Sequence, residues 1–156
     1  MSTTLHKAII GVGSNIDPWT HIEKAEQILA SEADLRGIAA YAVTKPVGVT
    51  DQTDFVNGAY YVVTPLEREQ FVAFLKDVEN RLGRVRGPQK FGPRTMDLDL
   101  VAWDEDVLDK DFYRYDHVRI PVSELIDRYQ LKLRKQKMNH IEEEEHGSAK
   151  RFTESD

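Results

Sequence analysis

The sequence predicts one α+β domain whose strands and helices follow the order β-α-β-β-α-β. Three observations support this prediction. Short runs of β-branched and aromatic residues alternate with two apolar stripes at helical spacing, turn residues separate these segments, and 156 residues suffice for one domain but not comfortably for two. We expect a single domain over residues 1–131 and a polar C-terminal extension, partly disordered, over residues 132–156.

The first half of the chain predicts a strand, a helix and a second strand. Residues 7–12 form an apolar run that closes on glycines, which is typical of a buried strand and a turn. Asp17 and Pro18 have the pattern of an N-cap followed by proline at the first helical position, and apolar spacing extends the helix to about Ser31. Residues 35–43 predict a second strand, although their pattern is weaker.

The second half predicts two further strands around a second helix. Residues 55–64 are rich in β-branched and aromatic side chains and predict a strand. Thr64 to Glu67 match a capping box, and the helix that follows ends at Gly83, where a C-cap glycine belongs. Residues 96–103 predict a strand, and residues 122–133 predict a C-terminal helix.

This order is the split βαβ, or ferredoxin-like, pattern: an antiparallel sheet with the two helices packed on one face, to which the C-terminal helix is added.

Composition excludes several classes of function. The chain has no cysteine, so disulfides, thiolate nucleophiles and iron–sulfur clusters are ruled out. It shows no apolar run long enough to span a membrane and no secretory signal, which predicts a cytoplasmic protein without a membrane partner. A net charge of −6 argues mildly against nucleic acid.

An acidic pair on the last predicted strand indicates a cation site. Asp97 and Asp99 are two residues apart, so on a strand both point to one face, roughly 7 Å apart along its axis. Leu98 then points to the core. Aspartate is rare in strands and like charges repel, so a solvated face explains the pair less well than a bound cation, and oxygen ligands suit Mg²⁺.

A basic loop precedes this acidic pair. Residues 84–94 contain four cations, Arg84, Arg86, Lys90 and Arg94, and no acid, which reverses the charge of the chain locally. A basic loop alone is most often a solubilising surface. Followed directly by a diacid strand, it indicates phosphate chemistry with Mg²⁺.

The usual nucleotide-binding loops are absent. No P-loop motif occurs, and Ile16 stands where a G-x-G-x-x-G motif needs its third glycine.

A third candidate for a functional site is the segment 44–57, in which Asn57 beside Phe55 has the groups to bind a flat heterocycle. Taken alone, the segment is better explained by a core phenylalanine and a turn asparagine.

Read in order, several motifs resemble the 6-hydroxymethyl-7,8-dihydropterin pyrophosphokinase family of folate biosynthesis. The resemblance covers residues 7–108 and is most specific in its last motif. The matching stretches are Gly13-Ser14-Asn15, Thr44-x-Pro46-Val47-Gly48, Gln52-x-Asp54-Phe55-Val56-Asn57, Glu79 with Leu82-Gly83-Arg84-x-Arg86, and Phe91-Gly92-Pro93-Arg94-Thr95-Met96-Asp97-Leu98-Asp99-Leu100.

The resemblance implies a ferredoxin-like fold and transfer of pyrophosphate from MgATP to the pterin hydroxymethyl group, with release of AMP. It implies two Mg²⁺ ions on Asp97 and Asp99. We further expect a monomer and, from the net charge, no nucleic-acid partner. The implied residues are Arg84, Arg94 and Asp97 for catalysis; Arg84, Lys90, Phe91 and Arg94 for ATP; and Thr44, Val47, Phe55 and Asn57 for the pterin.

Other functions stay open at this point. After the diacid strand the family has a Pro-His loop that residues 108–122 lack, so a diverged member with weak activity or another heterocyclic substrate is an alternative. The β-α-β-β-α-β order also occurs in RNA-recognition domains, although adjacent Tyr60 and Tyr61 would face opposite sides of the sheet. A third alternative is a ligand-binding sensor domain without catalysis.

Overall fold

The computed structural model describes residues 4–44, 54–83 and 95–134. Within them the chain forms one antiparallel sheet of six strands and four helices. In chain order these are β1 (His6–Ser14), α1 (Pro18–Glu32), β2 (Asp34–Ile38), β3 (Ala42–Thr44), β4 (Phe55–Thr64), α2 (Arg68–Arg81), β5 (Asp97–Trp103), β6 (Asp106–Val107), α3 (Asp111–Arg114) and α4 (Asp116–Tyr129).

The strand order places β1 at the centre of the sheet. The strands lie in the order β2-β4-β1-β5-β6, and β3 pairs with β4 beyond the end of β2. β1 pairs antiparallel with β4 along its whole length and with β5 on its other side. This arrangement confirms the α+β, ferredoxin-like prediction, to which β6 and α3 are small additions.

One face of the sheet packs against α1 and α2. Because side chains alternate along a strand, Ile10 and Tyr60 point to this face, where they are fully buried. They form one core cluster with Leu98 of β5, Leu29 of α1 and Leu75 of α2. The predicted packing of two helices on one face is therefore confirmed.

The opposite face packs against α4. The sequence predicted this C-terminal helix but not the face of the sheet against which it packs. Ile9, Tyr61 and Val101 form a second core cluster with Val122 and Leu125 of this helix. Tyr60 and Tyr61 thus lie buried on opposite faces, at 0% and 6% exposure, and cannot form the stacking platform of an RNA-recognition domain.

The second predicted strand divides in two. β2 and β3 are separated at residues 39–41, where Tyr41 turns its ring against Gly58, at which a Cβ atom would lie 2.7 Å from Tyr41 Cδ1. The Tyr41 hydroxyl bonds to Glu26 on α1 at 2.5 Å and to Tyr60 at 2.7 Å. Burial raises the pKa of Tyr41 and of Tyr60 well above their usual range, so both stay neutral. These hydrogen bonds hold Tyr41 against α1 and β4, at the point where the predicted second strand divides into β2 and β3.

The capping box predicted at Thr64 is wrong. Thr64 is still in β4, where it pairs with His6, and its hydroxyl accepts the Leu66 N–H at 3.0 Å. The helix therefore starts later, with Glu67 as N-cap and a reciprocal bond from the Glu67 N–H to Gln70 at 2.9 Å. Gly83 follows α2 with φ of 86°, the left-handed conformation predicted for a C-cap glycine.

The ends of the other two long helices also differ in detail. Asp17 is the N-cap of α1, but it adopts left-handed angles and its side chain makes no capping bond. α4 begins at Asp116 and ends at Tyr129, earlier at both ends than predicted. Pro121 lies inside α4, although proline has no N–H for an internal helical bond. Across the described ranges, no helix is both long and apolar enough to cross a membrane.

We predict that the packing of α4 contributes a large share of the stability. Leu125 is fully buried under α4, so Leu125→Ala should lower the free energy of unfolding by about 2–5 kcal/mol. Ile120 on the same helix is 60% exposed, and Ile120→Ala should change it by less than about 0.5 kcal/mol. Urea unfolding measures both, and equal losses would contradict this packing.

Candidate active site

Three neighbouring strands bring Asn57, Gly13 and Asp97 into one row across the sheet. Gly13 of β1 lies opposite Asn57 of β4 on one side and opposite Asp97 of β5 on the other. Residues opposite each other in antiparallel strands share a face. Two strand spacings separate the backbones of Asn57 and Asp97, about 10 Å.

The adjacent row repeats this arrangement with alanine in place of the asparagine. Gly11 lies opposite Ala59 of β4 and opposite Asp99 of β5. The middle strand thus presents glycine in both rows, so the floor between the amide and the carboxylates is made of backbone. Val101 covers part of it, because its Cγ2 lies 3.1 Å from the Cβ position of Gly11. A flat molecule can approach the backbone closely where no side chain covers it. α4 packs on the same face against Ile9, one row further along.

Asn57 is held in place by Thr44. Its Nδ2 donates to Thr44 Oγ1 at 2.8 Å, and a Cβ atom at Gly13 would lie 3.3 Å from its Oδ1. The side chain is 7% exposed and lies inside β4, so the alternative of a turn asparagine is wrong. An amide has two donor hydrogens and an acceptor oxygen. The bond to Thr44 fixes its plane, and the remaining groups suit the edge of a heterocycle.

Phe55 and Thr44 form the outer end of this region. They lie opposite each other in the β3–β4 pairing, and both are half-buried. Of the four residues predicted to bind the pterin, the structure thus brings Thr44, Phe55 and Asn57 together. Val47 is outside the described residues.

Asp97 and Asp99 lie on one face of β5, as the alternation of a strand requires. Asp97 is half-buried and Asp99 is exposed, whereas Met96 and Leu98 lie in the core. Their donor set fits Mg²⁺, which is usually held by one or two carboxylates and completes its shell with water and substrate phosphate. Among the described residues no group of three or more metal-binding side chains occurs, so an ion here would need such outside ligands.

Three buried polar residues at this end of the sheet were not predicted as site residues. They are Ser14, Asn15 and Glu79, at 0%, 2% and 4% exposure. Ser14 Oγ donates to the Thr95 carbonyl at 2.5 Å, and Glu79 Oε2 accepts the Leu98 N–H at 2.7 Å. The sequence did carry a signal for Glu79, because it follows Leu75 by four residues and so interrupts the apolar stripe of α2.

The predicted ATP contacts lie outside the described residues. These are Arg84, Lys90, Phe91 and Arg94. Their assignment stays a prediction from the charge pattern and from the resemblance.

The fold and this face define a class of protein: an α+β domain with an amide and a carboxylate pair on either side of a glycine floor. Comparison with known proteins identifies the class further. The family model for 7,8-dihydro-6-hydroxymethylpterin-pyrophosphokinase matches residues 9–132. The chain belongs to this pyrophosphokinase family.

Individual relatives agree with the family assignment. A 2-amino-4-hydroxy-6-hydroxymethyldihydropteridine pyrophosphokinase of Bacillus subtilis is 32% identical over 116 residues, which cover 72% of this chain and 69% of that protein. The Haemophilus influenzae protein of the same name is 28% identical over 131 residues, 76% of this chain and 80% of the relative. An Arabidopsis thaliana folate synthesis bifunctional protein is 29% identical over 121 residues, and only 25% of its length is covered.

We predict that Gly13 is required because of Asn57. An alanine Cβ 3.3 Å from Asn57 Oδ1 is tighter than ordinary contact, so Gly13→Ala should destabilise the chain by about 1–3 kcal/mol. In an Asn57→Ala background that cost should fall by at least about 0.5 kcal/mol, since the obstructing oxygen is gone. Urea unfolding of the four variants measures the coupling. An identical cost in both backgrounds would mean that another neighbour limits the space at Gly13.

Proposed function

We propose that this chain transfers the pyrophosphoryl group of ATP to the hydroxymethyl group of 6-hydroxymethyl-7,8-dihydropterin and releases AMP, a step of folate biosynthesis. The observation that supports this best is the row of Asn57, Gly13 and Asp97. It combines a group for the edge of a heterocycle with a carboxylate for the reacting end, on one flat floor. The family to which the chain belongs carries this activity in its name.

The pterin lies, in this proposal, over the glycine floor. Asn57 hydrogen-bonds the ring edge, because its amide is buried and oriented by Thr44. Phe55 flanks the ring, and Val47 contributes backbone contacts. With the ring edge at Asn57, the hydroxymethyl group extends toward β5 and the carboxylate pair.

Asp97 and Asp99 would hold two Mg²⁺ ions together with the ATP phosphates. When bound, the ions would neutralise charge on the phosphate oxygens and orient the triphosphate. The support for this assignment is the shared face of the two carboxylates and their oxygen-only donor set.

The triphosphate is assigned to Arg84 and Arg94, with Lys90 as a further cation and Phe91 as the aromatic residue beside ATP. Arginine offers a planar fork that matches phosphate oxygens. The basic character of residues 84–94, followed directly by the diacid strand, supports this assignment.

The reaction requires alignment more than covalent chemistry by the protein. The hydroxymethyl oxygen attacks the β-phosphorus, an O–P bond forms, the bond to the α–β bridging oxygen breaks, and AMP leaves. Asp97 shares its row with Asn57, so it is the carboxylate assigned to orient the hydroxyl and accept its proton. Arg84 and Arg94 stabilise the charge that develops on the phosphate oxygens.

Several other expectations stay predictions: a monomer in the cytoplasm, no nucleic-acid or membrane partner, and the division into residues 1–131 and 132–156. The diverged relative with weak activity or a different heterocyclic substrate stays the alternative, because residues 108–122 lack the Pro-His pair of the family.

The proposed activity predicts AMP release that needs both substrates and the metal. The full chain with MgATP should form AMP only when 6-hydroxymethyl-7,8-dihydropterin is added, and EDTA should stop the reaction. Binding of ATP without AMP formation under these conditions would contradict the proposal and favour the diverged relative or the sensor domain.

The carboxylate pair should account for this activity. Asp97→Asn and Asp99→Asn should each lower the rate of AMP formation at least about 100-fold, since a bound metal contributes several kcal/mol to the transition state. Asp127→Asn, at an exposed carboxylate on α4, is the matched control and should leave the rate unchanged. Circular dichroism checks that all three fold. Retained activity in both site variants would rule out the assignment.

A further inference from the structure

A buried carboxylate from α2 reaches the backbone of the diacid strand. Glu79 is 4% exposed, and its Oε2 accepts the N–H of Leu98 at 2.7 Å. Leu98 is the residue between Asp97 and Asp99. The hydrogen bond from the Leu98 N–H to Glu79 therefore fixes the strand at the point from which the two aspartate side chains extend.

The same strand is held a second time from β1. Ser14 is fully buried, and its hydroxyl donates to the carbonyl of Thr95 at 2.5 Å. One side chain thus holds a carbonyl before Asp97, and another holds an amide after it. Asp97 lies between two anchored backbone groups.

Beside the two aspartates, the described residues pair β5 with β1. On one side it pairs with β1, and on the other β6 reaches only Ala102 and Trp103 in the part of the sheet that the structure describes. At Leu98 the backbone N–H is bound by the Glu79 carboxylate, which reaches β5 from α2.

Core packing alone does not explain a glutamate at this position. Phe71, Leu75 and Val78 occupy the other buried positions of α2, and an apolar residue at position 79 would continue their stripe. Burying a carboxylate costs free energy unless it is hydrogen-bonded. A function of this acceptor in the site accounts for that cost.

We propose that Glu79 is a positioning residue for the metal site: its bond to the Leu98 N–H sets the direction of Asp97 and Asp99, and Ser14 provides the second anchor. The inference rests on the proposed function, because it takes these two aspartates as the metal ligands. It adds a residue that touches neither metal nor substrate in this role. Partners that orient metal ligands typically change metal affinity 10- to 100-fold when removed.

The test measures the binding of Mn²⁺, used as the probe metal, to the full chain. The nucleotide present is α,β-methylene-ATP, which cannot be cleaved between its α- and β-phosphates. Electron paramagnetic resonance counts free Mn²⁺ and gives the dissociation constant. Glu79→Met removes the acceptor and keeps an apolar side chain of similar length. We expect it to weaken Mn²⁺ binding about tenfold or more.

Three further variants separate positioning from packing and from charge. Glu79→Gln keeps an acceptor oxygen at the same reach and should bind Mn²⁺ within about threefold of the natural chain. Glu79→Asp keeps the charge but shortens the reach, and should bind as weakly as Glu79→Met. Leu75→Met, a volume-conserving change one turn earlier on α2, is the control for repacking and should have no effect. Ser14→Ala should weaken binding less than Glu79→Met.

The outcomes are decisive in either direction. Unchanged Mn²⁺ affinity in folded Glu79→Met, or in folded Glu79→Asp if the methionine variant does not fold, would overturn the proposal. Glu79→Gln as weak as Glu79→Met would also overturn it, because charge and not the hydrogen bond would then be responsible. Because Mn²⁺ binding is read without turnover, absence of AMP formation by the natural chain would contradict the proposed function but leave this result interpretable.

Discussion

The register of β1 between β4 and β5 is the constraint on which the candidate site depends. Gly13 faces Asn57 across one ladder and Asp97 across the other, so one backbone position fixes the spacing between the amide proposed to bind the ring and the carboxylate proposed to bind the cation. A shift of one residue in either ladder would move one of these side chains to the opposite face, against α1 and α2. Long pairing of β1 with β4, and apolar side chains buried on both faces, oppose such a shift.

The core and the site are thus parts of one arrangement. On the first face, Tyr41, Tyr60 and Glu26 form a partly buried hydrogen-bonded group, and the Tyr41 ring lies against Gly58, directly beside Asn57. On the second face α4 covers the rows around Ile9 and Tyr61. Rigid elements therefore determine where Asn57 and the carboxylates stand, which is the condition for holding reactants in line.

Local sequence patterns predict most of the strands and helices, but they predict only part of the candidate site. Alternation alone places Asp97 and Asp99 on one face and Leu98 in the core. The relation of Asn57 to Asp97 needs two long-range ladders, so no local pattern reveals it, and Asn57 alone resembled a turn residue. Long-range contacts also explain two differences from the predicted elements. The break between β2 and β3 occurs where Tyr41 is anchored to Tyr60, and α2 starts late because Thr64 remains paired with His6. Glu79 did interrupt an apolar stripe, but its partner on β5 lies outside any sequence window.

Paramagnetic broadening of amide signals tests the central claim most directly, namely that this face of β1 and β5 holds the metal and nucleotide. Trace Mn²⁺ is added to the ¹⁵N-labelled chain with α,β-methylene-ATP. The account predicts that the signals of Gly11, Gly13 and Asp97 to Asp99 broaden first. Broadening confined to another acidic segment, such as the turn at Asp104 to Asp106 between β5 and β6, with the glycine signals unaffected, would contradict it.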